Sequence, residues 1–525
     1  MKQKEAKKTL NTFEELLWDS ANKLRGAVES SEYKHVVLSL IFLKFASDKF
    51  EERRAQLIEE NKSQYVDNVA FYTMSNVFYL PKESRWSFIQ SNAKQDGLAL
   101  KIDTGLHTIE KNNKSLAGAL PDNYFSRLGL DRSKLAALID TISKINTLAE
   151  KSSDIVGRVY EYFLNKFALA EGKGKGEFYT PKSIVNLIAE LLEPYKGKIY
   201  DPCCGSGGMF VQSIKFIESH QGDKKEVSIY GQEGTSATLK LAKMNLAIRG
   251  IPANFGDRAD DTFFRDQHPN LKADFVMANP PFNQNSWRAK DELTDDLRWE
   301  GYDVPPTQNA NYAWILHIVS KLSDDGTAGF ILANGALAAQ GTEKTIRKRV
   351  IENDLVEAII VLPMDMFYTT DISVSLWILN KNKNARQVKR TVGNVQLRDR
   401  RNEVLFIDGR SFGHIQDKKF INFDLDDDIK KIAGIFHSWQ QQDAVDNYQD
   451  IEELCYAATI KQIAEKDYSL VPSKYICFKH DVTFAKKEHD VDKIAKEVLS
   501  MLEKDSQSND QLLAVLRPEE PVYEN

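Results

Sequence analysis

The chain has 525 residues, of which 42% are hydrophobic and 28% charged, and its formal net charge is -6. Such a length favours about three domains. The composition is that of a globular protein with a large core, and the charge excludes a strongly basic protein that coats nucleic acid unaided. The four cysteines lack the spacing of a disulfide framework or a zinc site, so we expect a reduced, cytoplasmic setting and no bound metal. The longest early apolar run, at 36–43, is far shorter than the ~20 residues of a membrane span, and we expect no membrane association.

Residues 1–150 are predicted to form an N-terminal helical domain. The sequence TFEE at 12–15 has the pattern of a capping box, and apolar residues recur after it at helical spacing. A further helix is predicted over 152–170, and the glycine- and lysine-rich residues 171–178 interrupt it as a loop. Thr180 and Pro181 then have the residue types typical of an N-cap and a first helical position.

Residues 151–420 are predicted to form an α/β catalytic domain. The alternation of strands and helices favours a mostly parallel sheet covered on both faces, with ligands bound beyond the carboxyl ends of the strands. The predicted strands are 198–202, 227–233, 273–279, 326–334, 356–363 and 374–380, with helices at 234–249, 309–323 and 342–353. Residues 421–525 are polar, and we predict a C-terminal helical region that docks on a partner, with an amphipathic helix at 490–504.

A glycine-rich turn follows the first predicted strand, in YDPCCGSGGMF at 200–210. Its glycines would allow a ligand to approach the backbone closely, and the helix that follows offers free N–H groups. The spacing is not that of a dinucleotide fingerprint, and the chain contains no Walker-type ATP sequence. A tight turn without a ligand is the alternative.

Acidic residues stand after the next two strands. Glu233 could accept two hydrogen bonds from a ribose diol, or it could be a solvated charge at a strand end. Asp257 could face an adenine amino group, although Asp260 and Asp261 compete for that role and an aspartate here often caps a helix. Three such strand ends in succession indicate a ligand site more strongly than any one of them alone.

The strand at 273–279 ends in Asn-Pro-Pro-Phe. An amine on an aromatic ring is a poor nucleophile because its lone pair is delocalised into the ring. Two acceptors that receive both N–H bonds, the Asn279 side-chain oxygen and the Pro280 carbonyl, would favour a pyramidal and more reactive nitrogen. Pro281 would stiffen that carbonyl, and Phe282 would offer a face on which a base stacks. Positioning against a methyl donor would supply the rest of the catalysis. The alternative is a turn with a core phenylalanine.

The sequence resembles the amino-methyltransferases that use S-adenosylmethionine and, over nearly its whole length, the modification subunit of type I restriction–modification systems. The resemblance rests on 17–52, on DIVGRVYEYFLNKFA and GEFYTPKSIVNLIAELLEP, and on DPCCGSGGMF, GQE, NPPFNQ, NANYAWILHIVSKLSDDGTAGFILANGAL and DYSLVPSKYI. It implies a Rossmann-like methyltransferase sheet and N6-methylation of adenine in double-stranded DNA, with the target base flipped out of the duplex.

The resemblance also implies the site residues. Catalysis would fall to Asn279, Pro280, Pro281 and Phe282. The cofactor S-adenosylmethionine would be bound by Glu177, Phe178, Tyr179, Thr180, Pro181, Lys182, Asp201, Gly205, Ser206, Gly207, Gly208, Glu233 and Asp257. Cys203 and Cys204 stand where small residues are usual, and we interpret them as packing residues.

The implied partners are a separate specificity subunit that reads the DNA sequence, with two methylating chains for each specificity chain, and motor–nuclease subunits for restriction. A basic segment at 381–401 could contact phosphates or be a solvated charged surface. The polar segment 283–308, with Trp287 and Arg288, is a candidate lid or a plain surface loop. Two other functions stay open: methylation of a glutamine amide in a protein, and a catalytically silent scaffold. Cytosine N4 is a closer variant.

Overall fold

The computed structural model describes residues 18, 22, 30–145, 162–163, 166, 180–367, 370–390, 393–416, 420–442 and 448–477. The predicted capping box at 12–15, the loop at 171–178 and the amphipathic helix at 490–504 lie outside these residues. Residues up to Ile476 belong to one compact unit, and Cys477 is the only described residue of the second unit.

The N-terminal part is helical, as predicted. Its longest helix is buried almost continuously from Val36 to Ala46, because apolar residues cover more than one of its faces. Asp103 is buried, and its Oδ1 accepts hydrogen bonds from the backbone N–H groups of Tyr124 and Phe125, which satisfies the start of a short helix. The helices are α1 (Ser30–Glu59), α2 (Val69–Thr73), α3 (Trp86–Ser91), α4 (Leu98–Asn112), α5 (Tyr124–Arg127) and α6 (Arg132–Ser143).

A nine-stranded sheet organises the rest of the described chain, in the order β13-β10-β6-β7-β5-β4-β1-β2-β3. Most neighbouring strands are parallel, but β7 runs antiparallel to both β5 and β6, and β13 runs antiparallel to β10. The strands are β1 (Gly197–Asp201), β2 (Val227–Gly231), β3 (Ala253–Asn254), β4 (Ala273–Ala278), β5 (Leu322–Ala333), β6 (Val356–Val361), β7 (Val374–Asn380), β10 (Glu403–Asp408) and β13 (Cys455–Thr459). Two small hairpins pair β8 (Arg386–Arg390) with β9 (Gly393–Leu397) and β11 (His414–Gln416) with β12 (Phe420–Asn422).

Helices cover both faces of the sheet, which is the predicted fold class. Strands β6 and β7 are buried along their whole length and read as apolar runs, as expected of strands covered on both faces. The covering helices are α7 (Lys182–Leu192), α8 (Gly208–Ser219), α9 (Ser236–Ile248) and α12 (Lys430–Gln440) on one face, and α10 (Asn311–Lys321), α11 (Thr342–Glu352) and α13 (Ile460–Glu465) on the other.

Helix α9 joins the sheet to the N-terminal helices. Leu241, Met244 and Ile248 belong to the N-terminal core, whereas Leu239 and Leu246 belong to the core against the sheet. Spacings of three and four residues place each set on its own side of the helix. One amphipathic helix with two apolar sides therefore connects the predicted helical domain to the catalytic sheet.

The predicted end of the catalytic domain at residue 420 precedes elements that belong to the same sheet and its covering helices. Strand β13, within the region predicted as helical, adds an edge strand beside β10, and α12 packs on the sheet. The reason is that Ala458 and Cys455 are buried in the two cores that flank the sheet. Residues 421–476 are thus not a separate helical region. Among the described residues, no helix combines the length and apolar character that a membrane crossing requires.

Candidate active site

The carboxyl ends of β1, β2 and β4 meet at one edge of the sheet. Asp201 is paired with Gly231 across β1 and β2, while β4 lies on the other side of β1. Beyond these ends the Gln232 N–H donates to the Asp201 carbonyl at 3.0 Å, and the Cys204 N–H donates to the Gln232 carbonyl at 2.9 Å. Three of the sequence motifs are therefore brought together, as expected for parallel strands.

The glycine-rich turn leaves open space beside its backbone. A Cβ on Gly205 or Gly208 would meet no atom within 4 Å, which is the room that an approaching ligand requires. Gly207 differs, because its φ is +78° and a Cβ there would lie 2.6 Å from Leu246 Cδ1. Gly207 is thus required for packing against α9. The Ser206 carbonyl accepts a hydrogen bond from Asn245 Nδ2 at 2.7 Å, so Asn245, which the sequence did not single out, holds the turn.

Asp201 lies under this turn and is 2% exposed. Its Oδ1 accepts a hydrogen bond from the Cys203 N–H at 3.0 Å. Burial raises the pKa of Asp201 to about 7, although the Cys203 N–H opposes the shift. Burial also raises the pKa of the Cys203 and Cys204 thiols well above their ordinary value, which agrees with their interpretation as packing residues rather than reactive thiols.

Glu233 is held at the end of β2 by two backbone groups. Its Oε1 accepts from the Thr235 N–H at 2.9 Å, and its Oε2 accepts from the Gly205 N–H at 3.1 Å. The carboxylate therefore bridges its own strand end and the glycine-rich turn. Each carboxylate oxygen has two lone pairs and can accept more than one hydrogen bond.

The three aspartates after β3 have different surroundings. Asp260 donates its backbone N–H to the Glu233 carbonyl at 3.1 Å, while its carboxylate pairs with Arg258 at 2.9 Å. Asp261 caps the next turn by accepting from the Phe263 N–H at 2.7 Å. Asp257 is exposed, and the structure shows no contact that assigns it to a ligand. Its role toward adenine stays a prediction.

Asn279 follows β4 and presents an unused oxygen. Its Nδ2 donates to Thr180 Oγ1 at 2.9 Å, and its Oδ1 is buried without a hydrogen-bond partner among the described residues. Pro280 is buried, and Phe282 is half-buried with its ring 5.5 Å from that of Phe367, edge to face. A buried amide oxygen with no hydrogen-bond partner is uncommon in proteins, and a ligand that donates a hydrogen bond could satisfy it.

The turn after Phe282 is clamped by α10. Asn283 has a φ of +51°, and its N–H donates to Asn311 Oδ1 at 3.1 Å. Asn311 Nδ2 donates back to Asn283 Oδ1 at 2.9 Å, and the Ala310 N–H donates to the Gln284 carbonyl at 2.9 Å. The sequence analysis missed Asn311, although NAN at 309–311 follows the catalytic motif in the blocks that carry the resemblance.

The segment before α7 departs from its predicted capping. The helix begins at Lys182 with Pro181 at the N-cap position and no side-chain cap, so the predicted cap at Thr180 is wrong by one residue. The Thr180 hydroxyl is bonded to Asn279 instead. Lys182 is exposed, and Glu177, Phe178 and Tyr179 lie outside the described residues.

The candidate lid, residues 283–308, has side chains that donate hydrogen bonds to backbone carbonyls of the same segment. Arg288 is 9% exposed and donates to the carbonyls of Ala289, Lys290, Glu292 and Pro305. Trp287 is 5% exposed and donates its indole N–H to the Pro306 carbonyl at 2.8 Å. Both side chains therefore stabilise the loop from within, and neither is presented to a ligand.

The basic segment at 381–401 includes the hairpin of β8 and β9, but several of its charges are paired within the protein. Arg400 is fully buried against Glu357 at 2.9 Å, and Lys383 is 3% exposed and pairs with Asp354. Arg390 pairs with Glu193 at 3.4 Å. Because a buried cation cannot reach a phosphate, Arg400 and Lys383 do not form the predicted phosphate contact, and Arg390 is already paired with a carboxylate. Lys389 remains exposed.

The comparisons with known proteins agree with this geometry. The model of the N-6 DNA Methylase family matches residues 151–482, and that of the HsdM N-terminal domain matches 13–142. The HindI methylase subunit of a type I restriction enzyme from Haemophilus influenzae is 41% identical, over 76% of this chain and 89% of its own. The corresponding MjaIX subunit of Methanocaldococcus jannaschii is 37% identical, over 88% and 84%.

The fold is similar to that of a solved type I methyltransferase subunit from Streptococcus thermophilus. The TM-score is 0.72 at 24% identity, covering 89% of this chain and 99% of the other. The family model and the two relatives support a DNA methylase and not a protein glutamine-amide methyltransferase. The chain therefore belongs to the N-6 DNA methylase family, among the relatives of the methylase subunits of type I restriction enzymes.

Proposed function

We propose that this protein transfers a methyl group from S-adenosylmethionine to the N6 amino group of adenine in double-stranded DNA, as the modification subunit of a type I restriction–modification complex. The observation that carries the proposal is the buried, unbonded Oδ1 of Asn279 at the end of β4. Leaving a buried acceptor unpaired costs ~1–3 kcal/mol, which a bound amino group would offset.

The side chain of Asn279 and the backbone carbonyl of Pro280 would act on the amino group of a flipped adenine. Asn279 Oδ1 would accept one N–H bond and the Pro280 carbonyl the other, which favours a pyramidal nitrogen with its lone pair directed out of the ring plane. The half-buried ring of Phe282 offers a surface for the base, and such stacking contributes ~1–3 kcal/mol. Methyl transfer would form the new N–C bond as the S–C bond of the sulfonium breaks to leave a neutral thioether, and the nitrogen would then lose its extra proton to an acceptor or to solvent.

The edge formed by β1 and β2 has the features of a nucleoside site. Open space lies beside Gly205 and Gly208, and the Glu233 carboxylate stands next to it, where it could accept bonds from a ribose diol. Bound S-adenosylmethionine would supply an electrophilic methyl group on a sulfonium. Ser206, Asp201 and the segment from 177 to 182 are proposed to complete the site, and Asp257 is proposed to meet the adenine ring.

The proposed assembly follows the relatives, which are named as methylase subunits of type I restriction enzymes. We propose that a specificity subunit selects the DNA site, that two copies of this chain serve one specificity subunit, and that motor–nuclease subunits join for restriction. The base would be flipped at a cost of a few kcal/mol, offset by contacts in the site. We also propose a cytoplasmic location.

The experiment is to co-express this chain with the products of its neighbouring genes and to map modified bases across the host genome. We expect N6-methyladenine at one recurring sequence, and its absence when Asn279→Ala replaces the wild type. N4-methylcytosine at that sequence would change the acceptor. Labelled methyl on a purified release factor but not on DNA would favour glutamine methylation, and no cofactor binding with all partners present would favour a scaffold.

A further inference from the structure

Asn279 can act as an acceptor only if its amide faces one way. The oxygen and the NH2 group of an asparagine are similar in size, and rotating the amide by about 180° exchanges a hydrogen-bond acceptor for a donor. A donor pointing at the amino group of adenine would repel it. Some contact of the protein must therefore select one of the two orientations.

In the observed arrangement Thr180 makes such a contact, with its hydroxyl oxygen as the acceptor. Asn279 Nδ2 donates to Thr180 Oγ1 at 2.9 Å, although the two residues are 99 positions apart in the chain. Thr180 directly precedes Pro181, which is buried and opens α7, so the hydroxyl is carried by a packed element. With the NH2 group engaged there, the amide oxygen is the atom that is not bonded to Thr180, and it has no hydrogen-bond partner among the described residues.

We propose that Thr180 is a positioning residue for methyl transfer: its hydroxyl holds the Asn279 amide with the oxygen toward the target amine. The inference rests on the proposed function and deepens it. It differs from the predicted role of Thr180 in cofactor binding, because it acts through Asn279 and not through the cofactor. It also links Thr180, which lies two residues before α7, to the catalytic turn.

The chain offers a matched control three residues further on. Ser183 Oγ is buried on α7 and has no hydrogen-bond partner among the described residues. Ser183→Ala removes a hydroxyl of similar size from the same element without changing Asn279. Thr180→Val is nearly isosteric with threonine and removes only the hydrogen bond, whereas Thr180→Ser restores a hydroxyl.

The test measures single-turnover methyl transfer with the co-purified specificity subunit, target duplex and saturating S-adenosylmethionine, together with the cofactor Kd by calorimetry. We expect Thr180→Val to slow transfer about ten-fold, which corresponds to about 1.4 kcal/mol of transition-state stabilisation. We expect its cofactor Kd to stay within about two-fold, Thr180→Ser to recover most of the rate, and Ser183→Ala to match the wild type. In an Asn279→Ala background Thr180→Val should have no further effect.

The outcomes separate the inference from the proposed function. If the wild-type complex does not methylate adenine, the proposed function fails. If it does, and Thr180→Val transfers methyl at the wild-type rate, the inference fails. A defect in Thr180→Val that saturating cofactor removes would assign Thr180 to the cofactor alone, and this too overturns the inference. If Thr180→Val does not fold, Thr180→Ser at the wild-type rate and Thr180→Ala with a slow rate would sustain it, and equal rates would overturn it.

Discussion

The substitution Asn279→Ala removes a side-chain oxygen at the end of β4 that is buried and has no hydrogen-bond partner among the described residues. A preorganised hydrogen-bond partner at a reacting group typically contributes 10²–10³ in rate, or about 3–4 kcal/mol. The structural cost is smaller, because within the described part of the chain the side-chain hydrogen bond lost is the 2.9 Å contact with Thr180, which contributes about 1 kcal/mol. We therefore expect a folded protein that binds cofactor normally and transfers methyl at least about 100-fold more slowly.

The assay is single-turnover transfer of labelled methyl to a target duplex, with the cofactor Kd and the thermal midpoint measured on the same preparation. Asn353→Ala is the control, since Asn353 is exposed after α11, at the opposite edge of the sheet, and its amide donates to Tyr302 Oη at 2.9 Å. Transfer by Asn279→Ala within about three-fold of the wild-type rate would refute the role of the Asn279 oxygen, because a three-fold change is below 1 kcal/mol.

Three further predictions follow from the site and the sheet. Glu233→Gln should raise the cofactor Kd about ten-fold by calorimetry and leave the saturated transfer rate near normal, and an unchanged Kd would contradict the ribose role. The pKa of Asp201 rises from 3.8 to about 7 on folding, so stability is lost as pH rises through that window. The thermal midpoint of Asp201→Asn minus that of the wild type should therefore increase between these pH values and stay constant above them. A midpoint difference that does not change with pH would contradict the raised pKa of Asp201. Arg400→Met leaves the buried Glu357 carboxylate without its charged partner and should lower the free energy of unfolding by ~3–5 kcal/mol, whereas exposed Arg401→Met should cost under about 1 kcal/mol in the same denaturant titration; equal costs would contradict the buried pair.

The positions of Asp201, Glu233 and Asn279 could be predicted because each follows an apolar strand. Parallel strands share one carboxyl edge, and the observed order places β1 between β2 and β4, so the three residues meet there. The fold class followed from the alternation of strands and helices. The individual ligand roles of these residues stay predictions.

The local sequence pattern does not predict contacts between residues that are far apart in the chain. Asn311 pairs with Asn283, and both were ordinary polar residues in the sequence. Arg400 belonged to a run of basic residues that suggested a DNA surface, yet Glu357, 43 positions earlier, neutralises it inside the protein. Residue type states a charge but not its partner, and burial is decided by what packs against the side chain.

The amino-acid sequence alone determined the chemistry of the motif and the fold class, because strand periodicity, glycine turns and the Asn-Pro-Pro-Phe ending are local properties of the chain. Only the tertiary structure decided which way the Asn279 amide faces and which cations are available to a partner. Both depend on groups that approach through space from residues tens to a hundred positions away, such as the Thr180 hydroxyl 99 positions before Asn279. A hydrogen bond between residues so far apart produces no periodic pattern in the sequence. Its donor and acceptor can therefore be identified only in the folded structure.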